Sequence, residues 1–126
     1  MLVIKNYIEK SEINGLGLFA GQDIKEGDIV WFLDPVTDSI FTKEEFEKLL
    51  NSIDEDNKEK FEKWSYTRKD TTVVLCADNA KFMNHSNNPN IKCNGQYDVA
   101  LGDIKVGEEI MCNYNEFHIE LNNKEK

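Results

Sequence analysis

The sequence predicts a mostly β (α+β) domain, on three observations. Short apolar, β-branched runs recur between turn residues, a single stretch has helical periodicity, and no apolar run approaches the roughly 18 residues of a membrane span. The chain of 126 residues fits one domain, 1–126, with a modest core. Charged residues at 31% suit a well-solvated surface, so disorder is expected at the ends alone.

Residues 2–8 (LVIKNYI) are β-branched and aromatic and read as a first strand. Asn14-Gly15 marks a turn, after which 17–20 (GLFA) begins another extended piece. Glycine on both sides of Leu16 permits either a tight corner or close approach of backbone to a ligand. Residues 28–33 (DIVWFL) form a strand ended by Asp34-Pro35. Residues 42–64 are a helical insertion: Thr42-Lys43-Glu44-Glu45 has the form of a capping box, and Phe46, Leu49, Leu50 and Ile53 recur at helical spacing. Ser52-Ile53-Asp54-Glu55 caps a second helix, with Phe61 and Trp64 on one face and a solvated charged surface elsewhere. Residues 71–77 (TTVVLCA) read as a buried strand. Asn94-Gly95 is a hairpin turn between strands at 91–93 and 97–101, and Ile110 to Tyr114 is the last strand. The tail, 115–126, is polar apart from Phe117, Ile119 and Leu121.

One phrase occurs twice: Asp23-Ile24-Lys25 leading to Gly27 and Asp28, and Asp103-Ile104-Lys105 leading to Gly107 and Glu108. Two copies are too few for a repeat architecture, and they read as two similar corners delivering the chain into strands.

The formal net charge of −9 disfavours direct contact with a nucleic acid backbone and suits a basic protein or peptide partner. Cys76, Cys93 and Cys112 are widely spaced and odd in number, which argues against a disulfide framework or a zinc cluster and for reduced thiols. With no signal peptide and no membrane segment, a soluble cytoplasmic protein is expected.

Two polar islands break the apolar pattern: Asn84-His85-Ser86 with Pro89-Asn90, and Gly107-Glu108-Glu109 leading to Tyr114. The first combines amide, imidazole and hydroxyl groups beside a stiffening proline, which suits a polar ligand or a polar turn. Tyr114 by itself is a strand tyrosine with its ring in the core or a functional hydroxyl.

Phe82-Met83-Asn84-His85-Ser86-Asn87-Asn88-Pro89-Asn90 followed by Gly107-Glu108-Glu109-Ile110 and Tyr114 resembles the paired signature of the SET-domain protein lysine methyltransferases, F-x-N-H-S-x-x-P-N and G-E-E-(L/I)-x-x-x-Y. Gly15-Leu16-Gly17 resembles the family's weaker G-x-G segment. Order and spacing match a minimal, stand-alone SET domain over nearly the whole chain. The resemblance implies a β-clip fold of several short sheets, with a helical insertion and a C-terminal pseudoknot that sets the NHS and tyrosine segments side by side. It also implies S-adenosyl-L-methionine as methyl donor, no metal, and the ε-amine of a lysine in a protein substrate, a histone or other basic protein, as acceptor. Making that amine free at neutral pH costs about 4 to 5 kcal/mol, a cost an apolar channel reduces.

Carried over residue by residue, the resemblance makes Tyr114 catalytic. It assigns Gly15, Leu16, Gly17, Asn84 and His85 to the donor, and puts Tyr66 and Cys112 in the substrate channel. Phe117 packs on the adenine or docks the tail on the core. The sequence departs from the family pattern in three places. Cys112 stands two residues before the tyrosine, where many members carry Phe or Tyr, so the number of methyl groups added does not carry over. A cysteine-rich zinc segment after the tyrosine is absent, so another segment or a partner subunit closes the channel. Lys81 stands where an arginine is common. The competing expectation is a catalytically silent module that binds a lysine-bearing peptide or the donor; either reading is compatible with a monomer or a homodimer.

Overall fold

The computed structural model describes residues 1–118. Among these residues, ten short strands form four small sheets, accompanied by two α-helices. β1 (Asn6–Lys10) pairs antiparallel with β2 (Leu16–Ala20). The first strand therefore begins later than the apolar run suggests: Leu2 makes an isolated bridge to Trp31 instead, because its side chain packs against the core. β3 (Ile29–Phe32), β8 (Ile91–Cys93) and β9 (Tyr97–Ala100) make a second sheet in the order β3-β9-β8. The turn between β8 and β9 is the expected Asn94-Gly95, with Gly95 at φ +85° and the Asn94 side chain accepting from the N–H groups of Gln96 and Tyr97 at 2.8 Å.

β4 (Ser39–Phe41), β5 (Ser65–Thr67) and β6 (Val73–Leu75) form a third sheet, ordered β4-β6-β5. The helices lie between β4 and β5 in the chain. α1 (Lys43–Asn51) starts in the anticipated capping box, Thr42 and Glu45 each satisfying the other's backbone N–H, and buries Phe46 and Leu50. α2 (Glu55–Trp64) is capped by Asp54, which accepts from the Asn57 N–H, while Ser52 ends α1 instead. An aspartate at an N-cap satisfies an orphan N–H and adds a negative charge at the positive end of the helix. Among the described residues, no helix is long and apolar enough to cross a membrane.

The fourth sheet brings the two polar islands together. β7 (Asn84–His85) and β10 (Met111–Cys112) run parallel, Met111 opposite Asn84 and Cys112 opposite His85. β10 is shorter than expected: Tyr114 opens a 3-10 turn, Tyr114–Glu116, capped by the Asn113 side chain. The main core, including Leu18, Ile24, Val30, Ile91, Ile104 and Ile110, takes in Cys112 of this pair.

The twice-written phrase pairs with itself. Ile24 and Ile104 exchange both backbone hydrogen bonds, at 2.7 and 2.8 Å. The Asp23 carboxylate accepts from the Val106 N–H, and the Asp103 carboxylate from the Glu26 N–H, both at 2.9 Å. Gly27 and Gly107 take left-handed φ values of +87° and +91°, so each copy supplies a corner that the other braces.

Candidate active site

A cavity of about 410 Å³ opens beside the parallel pair, within the size range of small-molecule sites. Its wall includes Tyr66, Asn84, His85, Cys112, Tyr114 and Phe117, six side chains singled out from the sequence. They arrive from β5, β7, β10 and the 3-10 turn after it, with Phe117 just past that turn. The last turn of α2, with Trp64, closes one side; Trp64 meets Phe82 edge-on at 5.9 Å between ring centroids, and the Lys81 ammonium lies 5.1 Å from the Trp64 ring centre.

Tyr114 is fixed at both ends. Its hydroxyl donates to the Met83 carbonyl at 2.5 Å and its backbone N–H to Nδ1 of His85 at 3.0 Å. Because Nδ1 accepts, the proton of the neutral ring sits on Nε2, which donates to Oδ1 of Asn87 at 3.1 Å. Burial, reinforced by Cys112 and Cys93, raises the Tyr114 hydroxyl above its ordinary range, so it stays protonated and works as a neutral hydrogen-bonding group. Tyr66 is raised for the same first reason, burial, and its hydroxyl donates to the Gly95 carbonyl at 3.2 Å. Phe117 stands edge-on to both tyrosines, 5.0 Å from Tyr66 and 5.9 Å from Tyr114 between centroids, so the residue after the turn packs into the aromatic wall.

Asn84 spends its amide on the protein. Nδ2 donates to the carbonyls of Asn14 and Leu16, each at 3.2 Å, and to the Glu109 carboxylate at 2.9 Å. Glu109 also accepts from the Ser11 hydroxyl at 2.9 Å, so the glutamate of the second island ties β7 to the Gly15 corner. Gly17 is bare for this reason: a Cβ there would lie 2.4 Å from Oε2 of Glu109. Gly15 has φ +49°, which answers to the tight corner. The cavity wall takes in Ile13 and Asn14 just ahead of the Gly15-Leu16-Gly17 segment, which joins the site through the Asn84 bridge.

Sequence reasoning missed Trp31, Cys76 and Asp98, all of which line the cavity. Trp31 and Asp98 are cross-strand partners in β3 and β9. Asp98 is 6% exposed, and burial pushes its carboxyl up to about 7, partly held back by a hydrogen bond with the Cys93 thiol. Trp31 is 3% exposed, and its Nε1 is the buried side-chain polar atom left without a partner among the described residues. One signal was present: an aspartate two residues from Ala100, on the face of a strand that otherwise turns inward. Of the tail, Ile119 and Leu121 lie outside the described residues. Among those described, no group of three or more His, Cys, Asp or Glu is placed to hold a metal.

The family model described as the SET domain matches residues 15–115. A curated relative, the Variant-silencing SET domain-containing protein of Plasmodium falciparum, is 31% identical over 121 residues; the match covers 86% of this chain, which spans 5% of that relative's length. Among solved structures, a Chaetomium thermophilum Polycomb Repressive Complex 2 chain, autoinhibited and bound to S-adenosylmethionine, superposes with a TM-score of 0.69 at 26% identity, over 96% of this chain and 16% of that one. A Plasmodium falciparum crystal structure described as a candidate histone methyltransferase shares the fold, with a TM-score of 0.58 at 23% identity, over 88% of this chain and 93% of that one.

Proposed function

The chain belongs to the SET-domain family, and on that footing we propose that it transfers a methyl group from S-adenosyl-L-methionine to the ε-amine of a lysine in a protein substrate. One observation carries the reading: Tyr114, His85 and Asn84, from segments far apart in sequence, converge on a single cavity with an aromatic wall. In this reading residues 1–126 are one SET domain.

When bound, the donor supplies a methyl carbon already activated on a sulfonium. The residues present fit it. The Asn84 amide is held rigid by the Asn14 and Leu16 carbonyls and by Glu109, which leaves Oδ1 as the acceptor for a cationic or amine group of the donor. Gly15, Leu16 and Gly17 lie behind the cavity wall and serve the donor through Asn84, whose amide the Leu16 carbonyl holds. Phe117 offers a flat apolar surface to the adenine. Tyr66, Cys112 and Tyr114 form the acceptor channel, where exclusion of water favours the uncharged amine. The protonated Tyr114 hydroxyl orients amine and methyl in line, and alignment of this kind supplies much of the rate enhancement open to a reaction with a pre-activated donor.

The acidic balance, −9, favours a basic substrate, a histone or another cationic protein, over direct contact with nucleic acid or membrane. The chain works as a monomer or homodimer, with α2 and the Phe117 segment supplying channel walls. Free thiols at Cys76, Cys93 and Cys112 are consistent with a cytoplasmic protein.

The test is transfer of radiolabelled methyl to a panel of basic proteins, with calorimetric donor binding alongside. Wild type should label lysine, and Tyr114→Phe should lose about 100-fold or more in rate while still binding the donor. Donor binding with no transfer to any substrate would favour a silent binding module; no donor binding would remove the assignment.

A further inference from the structure

The roles above leave two buried polar groups on the cavity wall unused: the Asp98 carboxyl and the Trp31 indole N–H. Asp98 has no basic partner among the ion pairs of the described residues, and its contact with the Cys93 thiol is with a weak donor. Trp31, directly across the sheet from it, has an indole nitrogen with no acceptor. The unmet indole N–H penalises folding, and a buried carboxyl held by a thiol is weakly compensated. The two groups, cross-strand neighbours on the wall of a cavity that also holds Tyr114, mark a place for a polar occupant rather than a packing accident.

The occupant follows from charge. A buried carboxylate on a largely apolar wall, with Glu62, Lys63, Lys81 and His85 elsewhere in its lining, is matched by a cation that carries hydrogen-bond donors, and an alkylammonium is such a cation. Resting on the methyl-transfer reading, we propose that Asp98 accepts the proton of the acceptor ammonium as it enters the cavity. An N–H bond of the ammonium breaks, its electron pair stays on nitrogen, and the proton passes to a carboxylate oxygen of Asp98. The nitrogen lone pair then forms a bond to the methyl carbon as the carbon–sulfur bond breaks, and that pair stays on sulfur. The products are a methylated ammonium, a neutral thioether and a protonated Asp98, which returns its proton to solvent.

Burial assists from both sides. It raises the acid and lowers the amine, which narrows the gap the proton must cross. With its carboxyl pushed up to about 7, Asp98 both gains and releases a proton near neutrality, the condition for efficient acid–base work. The titratable groups facing it are Cys93 of β8, Tyr66 of β5, Cys76 after β6, Glu116 of the 3-10 turn, and the Met1 amino group paired with Asp38. Glu116 pushes the carboxyl up, while the amino group and the Cys93 hydrogen bond pull it down.

Two readouts test this, and the first needs no turnover. Carbon-13 NMR follows the Asp98 carboxyl through a pH titration of the full chain, with and without n-butylammonium. The titration midpoint should fall when the cation binds, and Asp98→Asn should bind n-butylammonium about 10-fold or more weakly. Equal affinity in the variant, or an unmoved midpoint, overturns the proposal even if the protein methylates nothing. The second is single-turnover transfer against pH. Wild type should rise with a group titrating near neutrality and level off. The Asp98→Asn rate should be lower by about 100-fold or more at pH 7 and climb with pH throughout, with donor affinity unchanged. Asp98→Glu, which restores a carboxyl, should recover part of the rate. A profile in Asp98→Asn identical to wild type rejects the proton-accepting role, while failure of wild type to methylate any lysine rejects the methyl-transfer reading separately.

Discussion

The backbone N–H of Tyr114 donates to Nδ1 of His85 across 3.0 Å, so the last residue of one sequence motif is held by the histidine of another. The imidazole serves here as a fixed acceptor. Its other nitrogen is tethered to Asn87, and its ring lies 5.2 Å from the Tyr114 ring.

Removing that acceptor should therefore be felt at Tyr114. His85→Ala leaves a partly buried N–H unmet and is expected to lower stability by about 1–3 kcal/mol, as read from urea denaturation. Methyl transfer should fall with it, because the turn that positions the hydroxyl loosens. A variant with unchanged stability and rate would show that the bond positions nothing.

Glu109 and Gly17 form a second dependent pair. Gly17→Ala puts a methyl 2.4 Å from Oε2 of Glu109, which must move and release Asn84 and Ser11. The expected loss is about 1–3 kcal/mol. Glu109→Gln costs a similar amount, since an amide in place of one oxygen confronts the donor Nδ2 of Asn84. The double variant should lose less than the sum, a coupling a double-mutant cycle measures directly. Strict additivity would show that the glycine is bare for another reason.

Asp98 makes folding stability depend on pH in a defined direction. Below its ordinary value of 3.8 the carboxyl is protonated whether the chain is folded or not. Between there and about 7 the unfolded chain ionises it and the folded one does not. Its contribution is thus fully present in acid and lost as pH rises through the folded value, a swing on the order of 4 kcal/mol. Denaturation at several pH values should show Asp98→Asn gaining on wild type from pH 5 to pH 8. A difference independent of pH would mean that the carboxyl is ionised throughout.

The three cysteines should be silent in the folded protein. All are buried free thiols; burial pushes Cys76 up to about 12, and Cys93 is raised first by its hydrogen bond with Cys112. An aromatic disulfide reagent at neutral pH should label none of them quickly in native protein and all three in denaturant. Rapid labelling of Cys112 in the native state would mean that the cavity it lines is open to solvent at that residue.

Much of the local structure was legible because it depends on neighbours in sequence. The Thr42–Glu45 box, the Asn94-Gly95 turn and the helical spacing of Phe46 and Leu50 are satisfied within a few residues, so their residue types announce them. Where two local signals competed, as Ser52 and Asp54 did for the start of α2, the backbone chose, and sequence alone did not separate a C-cap from an N-cap. The motif residues Asn84, His85 and Tyr114 were legible in the same way, as words in a known pattern.

What these words do to one another belongs to the tertiary structure. Leu2 bridging Trp31, Ile24 trading hydrogen bonds with Ile104, β7 running parallel to β10, and Asp98 lying across the sheet from Trp31 are all contacts between residues distant in the chain. Their register is set by which apolar faces must be buried together, and side-chain alternation along one strand carries no record of its partner. The sequence by itself determined the β-rich class, the helical insertion and the residue types that the NHS and tyrosine segments bring to the cavity, because those follow from short-range geometry and residue type. Only the folded chain decided that a glutamate would occupy the space above Gly17, that a histidine would hold the tyrosine, and that a buried carboxyl would line their cavity, because burial and desolvation exist only once distant segments have packed.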